Sequence, residues 1–215
     1  MLFVEAWQFI VAHPDRFLNA LWTHVLLSAS ALGLAIAIAV PLGVLVAGRG
    51  RSAVVAINAA NVGRTLPSLA VLALVMPVLG TGFAPSLFAL TLLALPPILI
   101  NTYTAIRQVD PEVIDAARGM GMTGGQIVRK VEVPLALPVI FAGIRTAAVQ
   151  VVSGAVLAAY IGGGGLGDFI TAGIAMMALP QLLVGAIPAT LLSIGTDRLF
   201  GALQRALTPA GLRNP

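Results

Sequence analysis

The sequence predicts an all-α, polytopic membrane protein with about five transmembrane helices, and three observations predict it. Hydrophobic residues make up 59% of the 215-residue chain and charged residues 9%, whereas ordinary soluble domains carry about 25% charged residues. Several apolar runs exceed the roughly 18 to 20 residues needed to cross a hydrocarbon core. These runs do not alternate with period two, so helices rather than a closed barrel satisfy the backbone in lipid. Finally, basic residues cluster in alternate connections. The net charge of +4 is therefore read as a membrane-orientation signal, not as a nucleic-acid surface.

The elements follow in order. Residues 1–19 form an N-terminal segment outside the membrane, with an interfacial amphipathic helix from Phe3 to Phe17 anchored by Trp7 and Phe9. No signal peptide is expected, because Glu5 sits where a basic region belongs and no cleavage site follows. The transmembrane domain covers residues 20–206, with spans at Leu21–Ala47, Ala53–Leu79, Pro85–Ile106, Leu137–Ile161 and Pro180–Leu203, and residues 207–215 form a tail. Arg49 and Arg51 lie between the first two spans; Arg107, Arg118, Arg129 and Lys130 lie between the third and fourth; Arg198, Arg205 and Arg213 are read as following the fifth. The connections Gly80–Ala84 and Gly162–Leu179 hold no Lys or Arg. This asymmetry places the basic loops and the C-terminus in the cytoplasm and the N-terminus outside.

Polar groups inside spans are candidates for a translocation path. Arg64 in the second span is followed by Pro67, which bends a helix and frees a carbonyl. A broken or tilted second helix follows, with Arg64 facing protein or a watery cavity; pairing with a neighbouring helix is the other reading. Asn101 ends the third span, and Gln150 and Ser153 lie in the fourth. A single Gln or Ser in a span more often makes one interhelical hydrogen bond than touches a solute. Gly143, Ala147, Ala148, Gly154, Ala155 and Ala158 suit the fourth span to close packing.

The polar island between spans, about 107–136, carries the densest signal. Pro111 opens a helix with Asp110 as N-cap and Glu112 and Asp115 in its first turn. Gly119, Gly121, Gly124 and Gly125 loosen it, and a second helix over about Gly125–Val131 runs into Pro134 and Pro138 before the chain re-enters the membrane. Val113, Ile114, Met120, Met122 and Ile127 are apolar in a segment too small to fold around them, which marks an interface.

The spacing Asp115-Ala116-Ala117, three residues, Gly121, nine residues, Val131-Glu132-Val133-Pro134 resembles the loop signature of permease subunits of binding-protein-dependent ABC importers. That signature reads Glu-Ala-Ala, three residues, Gly, nine residues, Ile-x-Leu-Pro. Asp115, Val131 and Val133 are substitutions within it. The pieces Thr65–Ser68, Pro96–Tyr103 and Ile161–Ile170 are similar to the branch that takes up glycine betaine, carnitine and choline, and a Gly-Gly-Leu-Gly run is shared with methionine-type permeases. The resemblance covers about Thr23 to Gly173.

It implies a type I importer permease with a cytoplasmic coupling-helix loop docking into an ATPase subunit. Two copies, or this chain and a paralogue, would form the pore in a bacterial inner membrane. An external binding protein would deliver the solute. Gly163, Gly164, Gly165 and Gly167 would form a flexible external loop near the gate, or a mere connector. The chain itself is expected to bind no cofactor, with ATP and magnesium used by the partner ATPase. Consistent with that division, its single lysine, Lys130, belongs to no phosphate loop. The chain has no cysteine; His13 and His24 are read as anchors near the outer interface, without ligand spacing. An ATP-independent secondary transporter needs an intramembrane carboxylate, and by this reading no span carries one in mid-membrane. An intramembrane enzyme needs a nucleophile–base pair, and Ser28, Ser30 and Ser153 have no evident partner.

Overall fold

A computed structural model describes residues 1–48 and 50–208, without the side chains of 50–53. Arg49, the Arg51 side chain and Arg213, which enter the charge asymmetry, lie outside the described residues, as does the tail from 209. Among its described residues the chain has helix as its only regular secondary structure. In order it forms α1 (Leu2–Ala12), α2 (Pro14–Ala47), α3 (Gly50–Thr65), α4 (Ser68–Leu79), α5 (Phe83–Arg107), α6 (Pro111–Gly119), α7 (Gly124–Ile127), α8 (Val133–Gly154), α9 (Gly167–Ala175) and α10 (Leu179–Leu207). Four helical stretches are long and apolar enough to cross a membrane, and the bent pair α3–α4 brings the number up to five.

Helix α5 is the centre of the bundle, packed against α2, α3, α4 and α8. The α2 face toward it is a ladder of Leu27, Ala31, Ala35 and Ala39, each at most 1% exposed; residues four apart share one helix face. Small side chains let the backbones approach where apolar burial between lipid-embedded helices drives little. The crossings are set by glycine. A Cβ on Gly43 would stand 2.7 Å from Thr102 Cβ, and one on Gly143 would stand 2.6 Å from Asn101 Cβ and 2.9 Å from the Pro97 carbonyl. Gly43 thus seats α2 on α5, and Gly143 seats α8 on α5.

Three expectations change. The N-terminal helix ends at Ala12, and Pro14 starts α2 at a position where its missing N–H is harmless. Phe17 therefore belongs to the long helix. Trp7 is 66% exposed and can anchor in an interface, but Phe9 packs inward, edge-on to Phe169 at 6.0 Å between centroids. Next, α7, a π turn (Val128–Glu132), α8 and a 3-10 segment (Ala155–Ile161) form one helical stretch from Gly124 to Ile161. Re-entry into the membrane thus happens within a helix rather than between two. The break in the second span does occur: α3 and α4 meet at 100° around Leu66-Pro67, where proline fixes an extended backbone.

The glycine crossings give a test. Gly143→Leu should lower the thermal unfolding midpoint of the detergent-solubilised protein, as overpacking costs about 1–3 kcal/mol. Gly33→Ala, where a Cβ meets nothing within 4 Å, should hold or raise it, because alanine is favoured over helical glycine by about 0.5–1 kcal/mol.

Candidate functional site

The loop helix α6 is built by local rules. The Asp110 carboxylate accepts the Glu112 N–H at 2.9 Å, and Pro111 takes the first turn. Glu112 near the start and Arg118 near the end complement the helix dipole, whereas Asp115, expected in the first turn, lies beyond it and pairs with Arg118. The helix stops in a Schellman motif: Gly121 N–H donates to the Arg118 carbonyl at 2.9 Å, and Met122 N–H to the Ala117 carbonyl at 3.1 Å. Gly121 has φ +81°, a left-handed conformation open to glycine without strain. Thr123 then opens α7 with a capping box, its N–H donating to Gln126 Oε1 at 2.8 Å.

The signature residues divide between scaffold and surface. Asp115 and Ala116 face outward, and Asp115 sits 3.2 Å from Arg118 in an exposed ion pair that contributes little. Ala117 is 2% exposed, and its carbonyl accepts the Met122 N–H of the turn at Gly121. Val131 lies in the π turn and Pro134 just beyond it, both half-buried. The open apolar patch is narrower than composition suggests. Val113 and Met120 remain 41% and 76% exposed, while Ile114 and Met122 are half-buried and Ile127 is buried. The reason is that the loop leans on the ends of α2 and α5, around a cleft of about 420 Å³ walled by Val44, Ala47, Ile106, Ile114 and Ile127.

The π turn joins this loop to α8. Within it, Val133 N–H donates to the Val128 carbonyl, five residues back. A proline ring in an α-helix collides with the carbonyl four residues before it, here Lys130. Widening the helix just ahead of Pro134 moves that carbonyl aside and keeps the rod continuous. Such π turns often mark functional positions.

At the opposite end, the glycine stretch is a packed turn rather than a loose loop. Gly163, Gly165 and Gly167 are buried. A Cβ on Gly163 would overlap Ser86 Oγ, one on Gly167 would overlap the Val156 carbonyl, and one on Gly165 would stand 3.2 Å from His24 Nδ1. Gly164 and Gly165 adopt φ +75° and +92°. His24 is not an interfacial anchor. It is 1% exposed, with Nε2 3.0 Å from the Val152 carbonyl, so it clamps α2 onto α8. His13 does lie at the surface, stacked on Phe9 at 4.8 Å. Nearby, partial desolvation holds the Asp168 carboxyl above the usual carboxylate range, and the Arg16 guanidinium pulls it back.

The in-span polar residues do not converge on one site. Arg64 is exposed at the α3–α4 break and has no ion-pair partner among the described residues. Asn101 Nδ2 donates to the Pro97 carbonyl at 2.7 Å on its own helix and packs against Gly143; its role is the α5–α8 crossing. Gln150 and Ser153 are exposed together on α8, and Ser153 Oγ lies 3.2 Å from Ser193 Oγ of α10. Two charged residues inside the spans escaped the sequence reading. Arg145 of α8 donates through Nε and Nη2 to the Asp197 carboxylate of α10 at 2.7 and 2.8 Å. The spans therefore do hold a carboxylate, and Arg198 beside it also lies within α10. The signal was present as an arginine and an aspartate in two apolar runs, and only their pairing explains it.

Comparison with known proteins places this geometry. Residues 16–209 match the family described as binding-protein-dependent transport system inner membrane component. The choline transport system permease protein OpuBB of Bacillus subtilis is 42% identical over 96% of this chain and 95% of its own length. The carnitine transport permease protein OpuCB of Listeria monocytogenes is 45% identical, covering 95% and 94%. The osmoprotectant import permease protein OsmW of Salmonella typhimurium is 44% identical, covering 88% and 91%. In fold, the chain is similar to the MetNI methionine ABC transporter in an inward-facing conformation, with TM-score 0.80 and 22% identity over 92% of this chain and 99% of that one.

The Schellman turn is directly testable. Gly121→Val forces a branched side chain into the left-handed region at about 1–2 kcal/mol. Hydrogen exchange at the Met122 amide should accelerate on the order of tenfold, with little change at amides deep in α5.

Proposed function

The chain belongs to the family of binding-protein-dependent transport system inner membrane components, and we propose that it forms the channel of an importer of quaternary ammonium osmoprotectants. Glycine betaine, choline and carnitine are the solutes in view. The loop end faces the cytoplasm and the N-terminus lies outside. ATPase subunits, which use ATP and magnesium, dock on α6. An external binding protein delivers the solute at the opposite end, and a second permease copy or a paralogue completes the pore. This chain performs no hydrolysis.

One observation carries the reading. A capped, exposed helix with Val113, Ala116 and Met120 at spacings of three and four is tied by a short capped turn to a rod that runs on through the membrane. Residues so spaced share a face, and a short apolar face of this kind fits a groove on a partner. A motor that closes on ATP can shift the permease between states only through such differential contact. The osmoprotectant class is supported by the names and the 42–45% identities of the relatives. The methionine neighbour, at 22% identity, speaks to fold alone. Proton coupling without ATP finds no support in Asp197, because that carboxylate is already held by Arg145.

Ala116→Arg should abolish uptake and loosen capture of the co-expressed ATPase while leaving membrane levels of the permease unchanged, because a long cation on the exposed face of α6 blocks docking without entering the packed interior. Normal uptake by that variant would overturn the docking role. Uptake of labelled betaine, choline, carnitine and methionine, each measured separately, tests the solute class; uptake of methionine alone would sink the osmoprotectant reading.

A further inference from the structure

Most of the bundle's outer surface suits lipid. Leu34, Ile38, Leu42 and Leu45 of α2 are 42–55% exposed, and Leu74 and Val78 of α4 are 71% and 82% exposed. Polar side chains are exposed together in two places within the spans, on α3 at Asn58, Asn61 and Arg64 and along the seam between α8 and α10. On α8, Thr146, Gln150 and Ser153 are all exposed at spacings of four and three. Ser153 meets Ser193 of α10, and Arg145 meets Asp197 of the same helix. The ion pair is not sealed: its side chains remain 40% and 37% accessible. It opens on a cleft of about 470 Å³ that Gly201 and Gln204 also line.

The Thr146 and Ser153 hydroxyls donate to the Ala142 and Val149 carbonyls of their own helix, so it is Gln150 and the ion pair that make this seam a poor match for hydrocarbon. Arg145 lies about 12 Å along the helix from Leu137, inside the span at 1.5 Å per residue, where an ionised side chain facing lipid costs roughly 2.5–3.5 kcal/mol. We propose that the α8–α10 seam lines the water-filled solute path of the assembled importer, with the Arg145–Asp197 pair as its station toward the cytoplasmic end. The pair fits a small zwitterion bearing a carboxylate and a cationic nitrogen. Arg145 spends Nε and Nη2 on Asp197, while Nη1 lies over the bare backbone of Gly201, 3.2 Å from where a Cβ would stand. The Nη1 donor, with no hydrogen bond among the described residues, and the carboxylate side by side present a dipole that complements a zwitterion. This assignment rests on the permease reading above and names the face of the chain that the solute touches.

The absence of native cysteine makes the test clean. Single Gln150→Cys, Ser153→Cys and Leu34→Cys variants are assembled with the ATPase and reconstituted, and a membrane-impermeant methanethiosulfonate reagent is added from both sides. Positions 150 and 153 should label at least ~10-fold faster than position 34, as expected for a wet against a lipid face, and solute-loaded binding protein should slow them. Inert cysteines at 150 and 153 would show a sealed protein interface and overturn the proposal. In parallel, Arg145→Asp and Asp197→Arg alone should each cut uptake more than ~10-fold, and the double swap should recover to within ~3-fold of the parent, the coupling expected of a direct pair. ATP hydrolysis by each purified complex separates the two readings. Inert seam cysteines in a complex that hydrolyses ATP defeat this assignment alone. A parent chain that captures no ATPase defeats the importer reading together with it.

Discussion

The helical stretch from Gly124 to Ile161 is 38 residues long, and its continuity is the constraint on which the other features depend. Inside hydrocarbon every backbone N–H and carbonyl needs a partner within the structure, so a rod carrying Pro134 and Pro138 must absorb each lost bond locally. The π turn does this at Pro134. Because the rod is unbroken, the loop helices are not a separate module hung from the membrane domain. A displacement at Gly124 is a displacement of α8, and α8 grips α5 through Gly143 and α10 through Arg145. Close-packed contacts of this kind respond by switching arrangements rather than by bending continuously.

The far end of the same rod is held differently. Near Val152, His24 clamps α2 onto α8, and three residues later the helix tightens into the seven-residue 3-10 segment. Runs of that length are uncommon because their hydrogen bonds are poorer. The glycine turn then packs back on Ser86, His24 and Val156, and Gly82 N–H donates to the Ile161 carbonyl at 2.7 Å. This end is a tight joint where almost any side chain would collide, whereas the loop end presents an open apolar face.

What the sequence revealed divides along local and distant physics. The cap and the glycine stop of the loop helix were legible because they act within one or two turns, as Asp110 and Gly121 show. The spans were legible from hydropathy and the second-span break from Pro67. The Arg145–Asp197 pair, 52 residues apart in sequence, and the His24–Val152 clamp, 128 apart, were not. Neither follows from spacing along one helix; both depend on how helices are seated. The same holds for Asn101, which reads as a free polar group in the sequence and turns out to close on its own helix at the α5–α8 crossing.

The ion pair between α8 and α10 is a poor device for mere stability. Removing two charges from water is repaid only with near-ideal geometry, and an apolar pair of similar volume often holds a seam as well or better. The small and aliphatic residues at the other crossings of this bundle achieve close packing without any charge. A bidentate pair left open to a polar cleft forgoes much of the Coulomb gain that full burial would give and keeps its groups hydrated. That compromise makes sense where water and solute must pass, and it sets the α8–α10 seam apart from the aliphatic faces of α2 and α4.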